Sequence, residues 1–325
     1  MKRIVILVLL VFCGALLFAA PAAEKKFPDP ERTITIVVPH AAGGGTDIIF
    51  RALAEEMKAI SKMNFIVTNV TGAGSATGTN EVLNADADGY TMLGAGTHTT
   101  AATMQGLTDG YKQLEYITGL NWDPFIIAVR KDASWQTMGD LGKDARSRPG
   151  KISLGNAGMG GATGVAGVGL NLAFDKSFNI TPFNGGAELI ASVRGGHCDA
   201  GIFSQSEVRA NEDGLRSLAI LGDSRSPLPN LASAPTLAEA GFPGLNIPNG
   251  SFRSLMAKKG TPQEALLWLA DIADKAFHST GFQKFMKDNG LIPAFSKLED
   301  FRKYDAKTIV EYERILKEAG LYKMN

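Results

Sequence analysis

The sequence predicts an α/β protein of two lobes joined by two crossings of the chain, and three observations support this class. The chain has 325 residues, of which 45% are hydrophobic, enough to fill two cores. Short β-branched runs alternate with amphipathic segments, which is typical of strands connected by helices. Glycine, at 37 of 325 residues, is well above the roughly 7% usual in proteins, and it clusters where predicted strands end. These glycine clusters are therefore the first places to search for function.

The first 23 residues predict an export signal. Lys2 and Arg3 supply a basic start, residues 4–18 are apolar, and small residues lead up to Glu24. An apolar run of about 15 residues is short for a membrane span, which needs roughly 20. We expect cleavage before Glu24 and a mature protein in the periplasm or elsewhere outside the cytoplasmic membrane.

Charge and cysteine content exclude several classes of partner. Removing the signal takes away two basic residues and no acidic ones, so 33 Lys and Arg become 31 against 33 Asp and Glu, a formal charge of −2. This balance argues against a nucleic acid or an anionic membrane surface. Only Cys198 remains in the mature chain, so no internal disulfide forms. No cluster has metal-ligand spacing, and we expect neither a metal nor a cofactor.

The first half predicts repeated units of strand, glycine loop and helix. A strand over residues 33–38 is stopped by Pro39, and a helix over residues 46–60 follows the glycine turn at residues 43–45. The next elements are a strand at 64–70, a loop at 71–78, a helix at 79–84 and a strand at 90–93. This alternation predicts a parallel sheet with ligands bound outside the carboxyl ends of its strands.

The second part of the chain repeats this pattern before it ends in helices. Strands at 125–129 and 151–154 precede a glycine loop at 155–164 and a helix at 165–174. Further strands are predicted at 180–183, 200–203, 215–221 and 252–257, and further helices at 187–194, 262–279, 281–289 and 297–319. The last three helices alternate apolar and charged residues, as surface helices packed on one face do.

Two crossings of the chain define the predicted lobes. The chain leaves lobe one near Trp122 and returns near Gly222, so lobe one comprises residues 24–122 and 222–325, and lobe two comprises residues 123–221. Two crossings make a hinge with a cleft between the lobes.

The glycine loops suggest an anion site in this cleft. A strand that ends in glycine and opens a helix brings backbone N–H groups and the positive end of the helix dipole together. Residues 43–47 and 155–163 have this form, one segment from each lobe. They are expected to hold a carboxylate from both sides. The alternative is that each glycine turn is only a tight connection.

Enzyme motifs are absent from the sequence. No G-x-G-x-x-G, G-x-x-x-x-G-K-[ST] or G-x-S-x-G pattern occurs in it. His40 and His98 follow strands at the predicted cleft, but the motifs supply no serine or cysteine nucleophile with a base oriented by a carboxylate. We therefore expect a binding protein and not an enzyme.

Six segments, taken in order, resemble the tripartite tricarboxylate transporter receptors, the Bug or TctC-like solute-binding proteins. The resemblance extends from about Phe27 to Leu321. The segments are 39–47 with Arg51, 69–78, 88–93, 181–186, 234–244 and 260–262.

The resemblance implies a fold, a ligand and a partner. It implies a type II periplasmic binding fold that closes on a ligand carboxylate, often through bridging waters and loop amides. It also implies delivery of the carboxylate to a membrane transporter of one large and one small subunit. We expect the receptor to be a monomer. A sensor adaptor for a membrane kinase is the alternative, which the sequence does not separate from a transport receptor. Dicarboxylates, tricarboxylates, amino acids and aromatic acids all stay open as ligands.

Sixteen residues are the candidate ligand contacts. His40, where the family usually has an aromatic residue, either donates to a ligand carboxylate or packs at its loop. Asp47 either contacts a ligand amino group or braces the glycine loop, and the brace is favoured. Asn184 replaces the family's usual lysine. The candidates are His40, Ala41, Gly44, Gly45, Thr46, Asp47, Thr97, His98, Asn156, Gly160, Gly161, Thr163, Asn184, Gly185, Ser204 and Gln205.

Overall fold

The structure is a computed structural model that describes residues 27–294 and 298–324, with the backbone alone for residues 298–305. The predicted signal, residues 1–23, lies outside the described residues. No helix within the described ranges is both long and apolar enough to span a membrane.

Ten strands and eleven α-helices make up the described part of the chain. The strands are β1 (Thr33–Val38), β2 (Asn64–Asn69), β3 (Thr91–Gly96), β4 (Leu114–Arg130), β5 (Ile152–Asn156), β6 (Phe178–Pro182), β7 (Ala200–Ser204), β8 (Leu215–Ile220), β9 (Gly250–Lys258) and β10 (Ile292–Pro293). The helices are α1 (Gly45–Ser61), α2 (Ala76–Asn84), α3 (Thr97–Met104), α4 (Gly110–Gln113), α5 (Met138–Ser147), α6 (Ala162–Ala173), α7 (Gly186–Arg194), α8 (Gln205–Ala210), α9 (Gln263–Phe277), α10 (Thr280–Asp288) and α11 (Leu298–Glu318).

The strands form one curled, mixed sheet in the order β2-β1-β3-β9-β4-β7-β5-β6, with β8 and β10 each paired to β4. The outer pairs β1–β2, β1–β3, β5–β6 and β5–β7 are parallel. The pairs that involve β9 or β4 are antiparallel. The α/β class is confirmed, but the expectation of a parallel sheet is wrong at its centre. The reason is that the long strand β4 lies at the centre, and its four partners β7, β8, β9 and β10 are all antiparallel to it.

Strand β4 joins two parts of the sheet. Residues 114–124 pair with β9 in the part we call the first half-sheet, which also holds β1, β2, β3 and β10. Residues 125–130 pair with β7 or β8 in the second half-sheet, which also holds β5 and β6. The crossing predicted near Trp122 therefore falls inside a continuous strand. The lobe boundaries themselves stay a prediction.

Each half-sheet has its own large apolar cluster. The first cluster includes Ile34, Phe50 and Leu255 and is covered by α1, α9 and α10. The second cluster includes Phe125 and Phe174. The C-terminal helix α11 contributes Tyr312, Ile315 and Leu316 to this second cluster. The last helix of the chain is thus packed on the second half-sheet.

The sequence patterns predicted most elements to within a few residues but missed α3, α4, α5, α8, β10 and residues 114–124 of β4. Helix α3 has the sequence THTTAATM, and its threonines are poor helix formers. Its eight residues are all buried, so no polar face reveals the helical period. Tertiary burial, rather than propensity, stabilises this helix.

Burial predicts how substitutions in the sheet differ from those on the surface. Leu255 is fully buried in β9, whereas Leu267 on α9 is 63% exposed. Leu255→Ala should lower the free energy of unfolding by about 2 to 5 kcal/mol, because it removes buried methyl groups and leaves a cavity. Leu267→Ala is the matched control and should change it by less than about 0.5 kcal/mol. Urea denaturation measures both, and equal effects would contradict this account of the core.

Candidate functional site

One cavity lies where the N-termini of α1, α6 and α7 meet the centre of the sheet. Helix α3 reaches it through His98, the second residue of that helix. Of the sixteen predicted contacts, eight line the cavity, namely His40, Gly44, Gly45, Thr46, His98, Gly161, Thr163 and Ser204. The lining residues that sequence reasoning missed are Phe125, Ala157, Ala162, Gly186, Glu207, Ser251 and Arg253. Ligand contact by any of these residues stays a prediction.

Asp47 braces the first glycine loop, residues 39–44. Its carboxylate accepts hydrogen bonds from Gly43 N (2.9 Å), Arg51 Nε (3.0 Å) and Asn69 Nδ2 (2.8 Å). Asn69 Nδ2 also donates to the carbonyl oxygen of His40 at 2.9 Å. Burial alone would raise the pKa of Asp47, but these hydrogen bonds outweigh it and lower the pKa. The carboxylate of Asp47 is therefore ionised, and its hydrogen bonds hold the loop in place, as the bracing interpretation predicts.

A buried ion pair lies beneath the cavity. Arg253 Nη1 on β9 donates to Asp123 Oδ2 on β4 at 2.8 Å, and the two side chains are 4% and 1% exposed. The guanidinium also donates to Thr46 Oγ1 (3.2 Å) and Asn121 Oδ1 (3.4 Å). Asp123 in turn accepts from Ser206 Oγ (2.6 Å) and Ser206 N (3.2 Å). One charge pair thus connects both central strands to α1 and α8.

Arg253 also limits which residue can start α1. A Cβ atom at position 45 would lie 2.6 Å from Arg253 Nη2 and 3.1 Å from Ser206 Oγ, so only glycine fits without displacement. Arg253 lines the cavity, and its Nη2 donates to no residue within the described ranges. A charged residue inside the apolar run 252–257 was the sequence signal for this site.

Two histidines form one wall of the cavity. The rings of His40 and His98 meet edge to face, with centroids 4.5 Å apart. Burial, reinforced by the charge of Arg253, lowers the pKa of His40 to about 4. Burial, His40 and Arg253 together lower the pKa of His98 well below its usual value. Both imidazoles are therefore neutral at pH 7, and each offers one donor and one acceptor. His98 is 4% exposed, and its Nε2 has no hydrogen-bond partner within the described part of the chain.

Glu207 is a further ionisable group in the lining. It closes a capping box at the start of α8, where its Oε2 accepts from Ser204 N at 2.9 Å. A Cβ added at Gly186 would lie 1.7 Å from Oε1, so this oxygen is packed against the start of α7. The signal in the sequence was the S-x-x-E spacing of residues 204–207.

The other predicted contacts are engaged outside the cavity lining. Asn184 is exposed. Its Nδ2 donates to Glu188 at 3.1 Å. Thr97 Oγ1 lies 3.2 Å from Ser251 Oγ, and Asn156 Oδ1 accepts from Gly158 N at 3.0 Å. Gln205 Nε2 donates to Gly290 O at 3.4 Å.

Ala41, Gly160 and Gly185 lie where loops from opposite half-sheets touch. A Cβ added at Gly185 would be 3.2 Å from Ala41 Cβ, and one added at Gly74 would be 2.3 Å from Gly160 Cα. Gln105 Nε2 donates to Met159 O across the same contact at 3.1 Å. The glycines at positions 160 and 185 therefore allow close packing there, because a side chain at either position would meet the opposite loop.

The arrangement is suited to binding and not to metal chemistry. Within residues 27–294 and 298–324, no group of three or more His, Cys, Asp or Glu side chains is placed to hold a metal ion. The helix N-termini and Arg253 instead present donors to a single small volume, which favours an anionic ligand.

Removing one member of the buried ion pair should be costly. Asp123→Ala leaves the Arg253 charge buried without compensation, so the free energy of unfolding should fall by about 3 to 5 kcal/mol. Asp271→Ala breaks an exposed pair with Lys275, both 55% exposed, and should cost less than about 1 kcal/mol. Chemical denaturation of both variants checks the difference. If Asp123→Ala lowers the free energy of unfolding by less than Asp271→Ala does, the buried pair does not support the fold.

The low pKa of His40 predicts acid sensitivity. As the pH falls, the unfolded chain takes up this proton near the ordinary pKa of 6.5, whereas the folded chain does so only near 4. The contribution of His40 to stability is therefore complete above about pH 6.5 and declines towards pH 4, by about 1 to 2 kcal/mol between pH 7.5 and pH 5. Urea midpoints across this range measure the slope, to which His98 also contributes. His40→Gln should make the slope shallower and leave the part due to His98, and His197→Gln, at an exposed position, should leave it unchanged.

Comparisons with known proteins agree with this geometry. Residues 49–321 match the family described as tripartite tricarboxylate transporter family receptor. BugT of Bordetella pertussis is 25% identical over 317 residues, covering 95% of each chain. The structure of the periplasmic binding protein BugD matches with a TM-score of 0.83 and 27% identity, over 91% of this chain and 100% of that one.

A third match, at lower identity, bears on the fold alone. MatC from Rhodopseudomonas palustris, solved with bound malate, has a TM-score of 0.81 and 23% identity over 89% of this chain and 100% of MatC. The periplasmic binding fold that the resemblance implied is confirmed by these structures. The family match covers most of the chain, and the matched proteins bind substrates and are not enzymes. This chain therefore belongs to the receptors of the tripartite tricarboxylate transporter family.

Proposed function

We propose that this receptor captures a small carboxylate outside the cytoplasmic membrane and delivers it to a membrane transporter of one large and one small subunit. The observation that carries the proposal is the convergence of three helix N-termini and Arg253 on one cavity. Helices α1, α6 and α7 contain 17, 12 and 9 residues, so each has a developed dipole. The predicted signal at residues 1–23 supplies the export that this role needs.

The two half-sheets contribute opposite walls of the site. Gly44, Gly45 and Thr46 come from the loop and helix that follow β1, whereas Gly161 and Thr163 come from those that follow β5. A ligand held by both walls favours the arrangement in which they face each other. Such a ligand shifts the equilibrium between the open and closed forms only to the extent that it binds the closed form more tightly than the open form. The closed, loaded form is the one proposed to dock on the transporter as a monomer.

A carboxylate panel tests the proposed function directly. The mature chain, without residues 1–23, is purified and its melting transition is followed with monocarboxylates, dicarboxylates, tricarboxylates and amino acids. A true ligand at 100 times its Kd should add about 2.7 kcal/mol to the free energy of unfolding. Mass spectrometry should recover that ligand unchanged. If no carboxylate shifts the transition, or if the ligand is converted, the proposal is wrong.

Gly45 offers a variant that tests the contact between the start of α1 and Arg253. In Gly45→Ala the new Cβ would lie 2.6 Å from Arg253 Nη2, so the guanidinium or the loop must shift away from its place in the cavity. Carboxylate affinity should fall at least about tenfold, equal to about 1.4 kcal/mol. Gly139→Ala, where the nearest atom to a new Cβ is 3.6 Å away, should bind like the wild type. Calorimetric titration compares the two variants, and equal affinities would remove Gly45 from the site.

A further inference from the structure

We infer that the ligand carries an ammonium group beside its carboxylate, and that Glu207 receives this ammonium group. The inference rests on the proposed function, since it concerns the same cavity. It names the ligand as a compact zwitterion of the amino-acid type and gives Glu207 a role in selectivity.

Glu207 lies between the two walls of the cavity. It stands at the third position of α8, in the second half-sheet, yet it lies near the first glycine loop. Its Oε1 is 3.9 Å from where a Cβ of Gly44 would be, and it is packed against Gly186. The other oxygen, Oε2, is engaged with Ser204 N, whereas Oε1 has no hydrogen-bond partner within the described residues. One carboxylate oxygen thus remains available at the cavity.

The cavity lining holds one positive and one negative side chain. Arg253 and Glu207 are the lining side chains that carry a full charge at neutral pH, because His40 and His98 are held neutral. Behind Arg253, Asp123 balances the guanidinium charge. A dicarboxylate would place its second negative group in a cavity that already holds a carboxylate, and like charges in such a site repel. An ammonium group would instead be attracted to Glu207.

The charged groups of Arg253 and Glu207 lie against neighbouring residues where the first glycine loop meets α1. Arg253 Nη2 lies against Gly45, and Glu207 Oε1 lies near the neighbouring residue Gly44. The Cα atoms of adjacent residues are about 3.8 Å apart. Within the described residues Arg253 forms its ion pair with Asp123 and none with Glu207, so the two charged groups lie against adjacent glycines without being joined. A ligand whose carboxylate and ammonium groups are a few bonds apart matches this arrangement.

His98 provides an independent sign that a polar ligand belongs here. Its Nε2 is buried in the lining without a partner, which is costly unless something in the cavity supplies a hydrogen bond. A neutral imidazole can bond a carboxylate or a hydroxyl oxygen by donating, or an ammonium group by accepting. It adds no charge that would disturb the balance between Arg253 and Glu207.

Matched ligand pairs test the inference in the mature chain. Alanine and propionate, aspartate and succinate, and glutamate and glutarate differ only in the amino group. The wild type should bind the amino member of at least one pair at least about tenfold more tightly, as measured by calorimetric titration, a difference of about 1.4 kcal/mol. Glu207→Gln should reduce that preference to less than about threefold and should improve binding of the corresponding acid.

Glu207→Gln keeps the shape of the side chain and an oxygen able to accept from Ser204 N, so α8 should keep its cap. The matched control is Glu239→Gln. Glu239 also closes a capping turn, by accepting from Thr236 N at 2.9 Å, but it lies outside the cavity lining. This control should retain the wild-type preference. A merely structural role for Glu207 would weaken both members of a pair equally.

The outcomes separate the two proposals. If the wild type binds propionate, succinate or glutarate as tightly as the amino acids, the zwitterion inference is overturned and carboxylate capture stands. An unchanged preference in Glu207→Gln overturns the role of Glu207. If no member of any pair binds and no other carboxylate stabilises the protein, the proposed function fails, and the inference fails with it.

Discussion

The ion pair between Arg253 and Asp123 joins the two strands that run through the middle of the sheet, directly beneath the cavity. Removing two charges from water costs several kcal/mol each, so such a pair persists only where its remaining polar atoms are also satisfied. Thr46 and Asn121 accept further hydrogen bonds from the guanidinium, which leaves Nη2 facing the cavity, and Ser206 donates to the carboxylate. Because Thr46 opens α1 and Ser206 lies in α8, the pair fixes how these helices approach each other. The shape of the cavity depends on that distance.

The proposed anion site relies mainly on oriented dipoles. The charge of Arg253 is balanced by Asp123, and burial keeps His40 and His98 neutral. What remains is the partial positive charge at the N-termini of three helices, together with the free face of the guanidinium. Such a site can hold a carboxylate without burying an unpaired cation when it is empty.

Glycine sets how closely the two half-sheets meet. Gly74 lies on Gly160, and Gly185 lies on Ala41, so backbone approaches backbone at the edge of the cavity. Contacts of this kind bury little apolar surface and contribute little stabilisation by themselves. In the proposed function, the preference for the closed arrangement is therefore left to a ligand that contacts both walls. The two apolar clusters, which stabilise the fold, lie elsewhere.

The sequence by itself determined the local elements and the chemical character of the site. Strand β1 ending in a glycine turn before α1 predicts an anion-binding loop, because backbone geometry and the helix dipole are local properties. The tertiary structure alone decided which side chains reach that loop. Arg253 and Glu207 lie more than 150 residues from Gly45 in the sequence, and the mixed pairing along β4 brings them to it. Strand pairing between distant segments is not encoded in any short pattern, so the two charges that line the cavity became visible only in the fold.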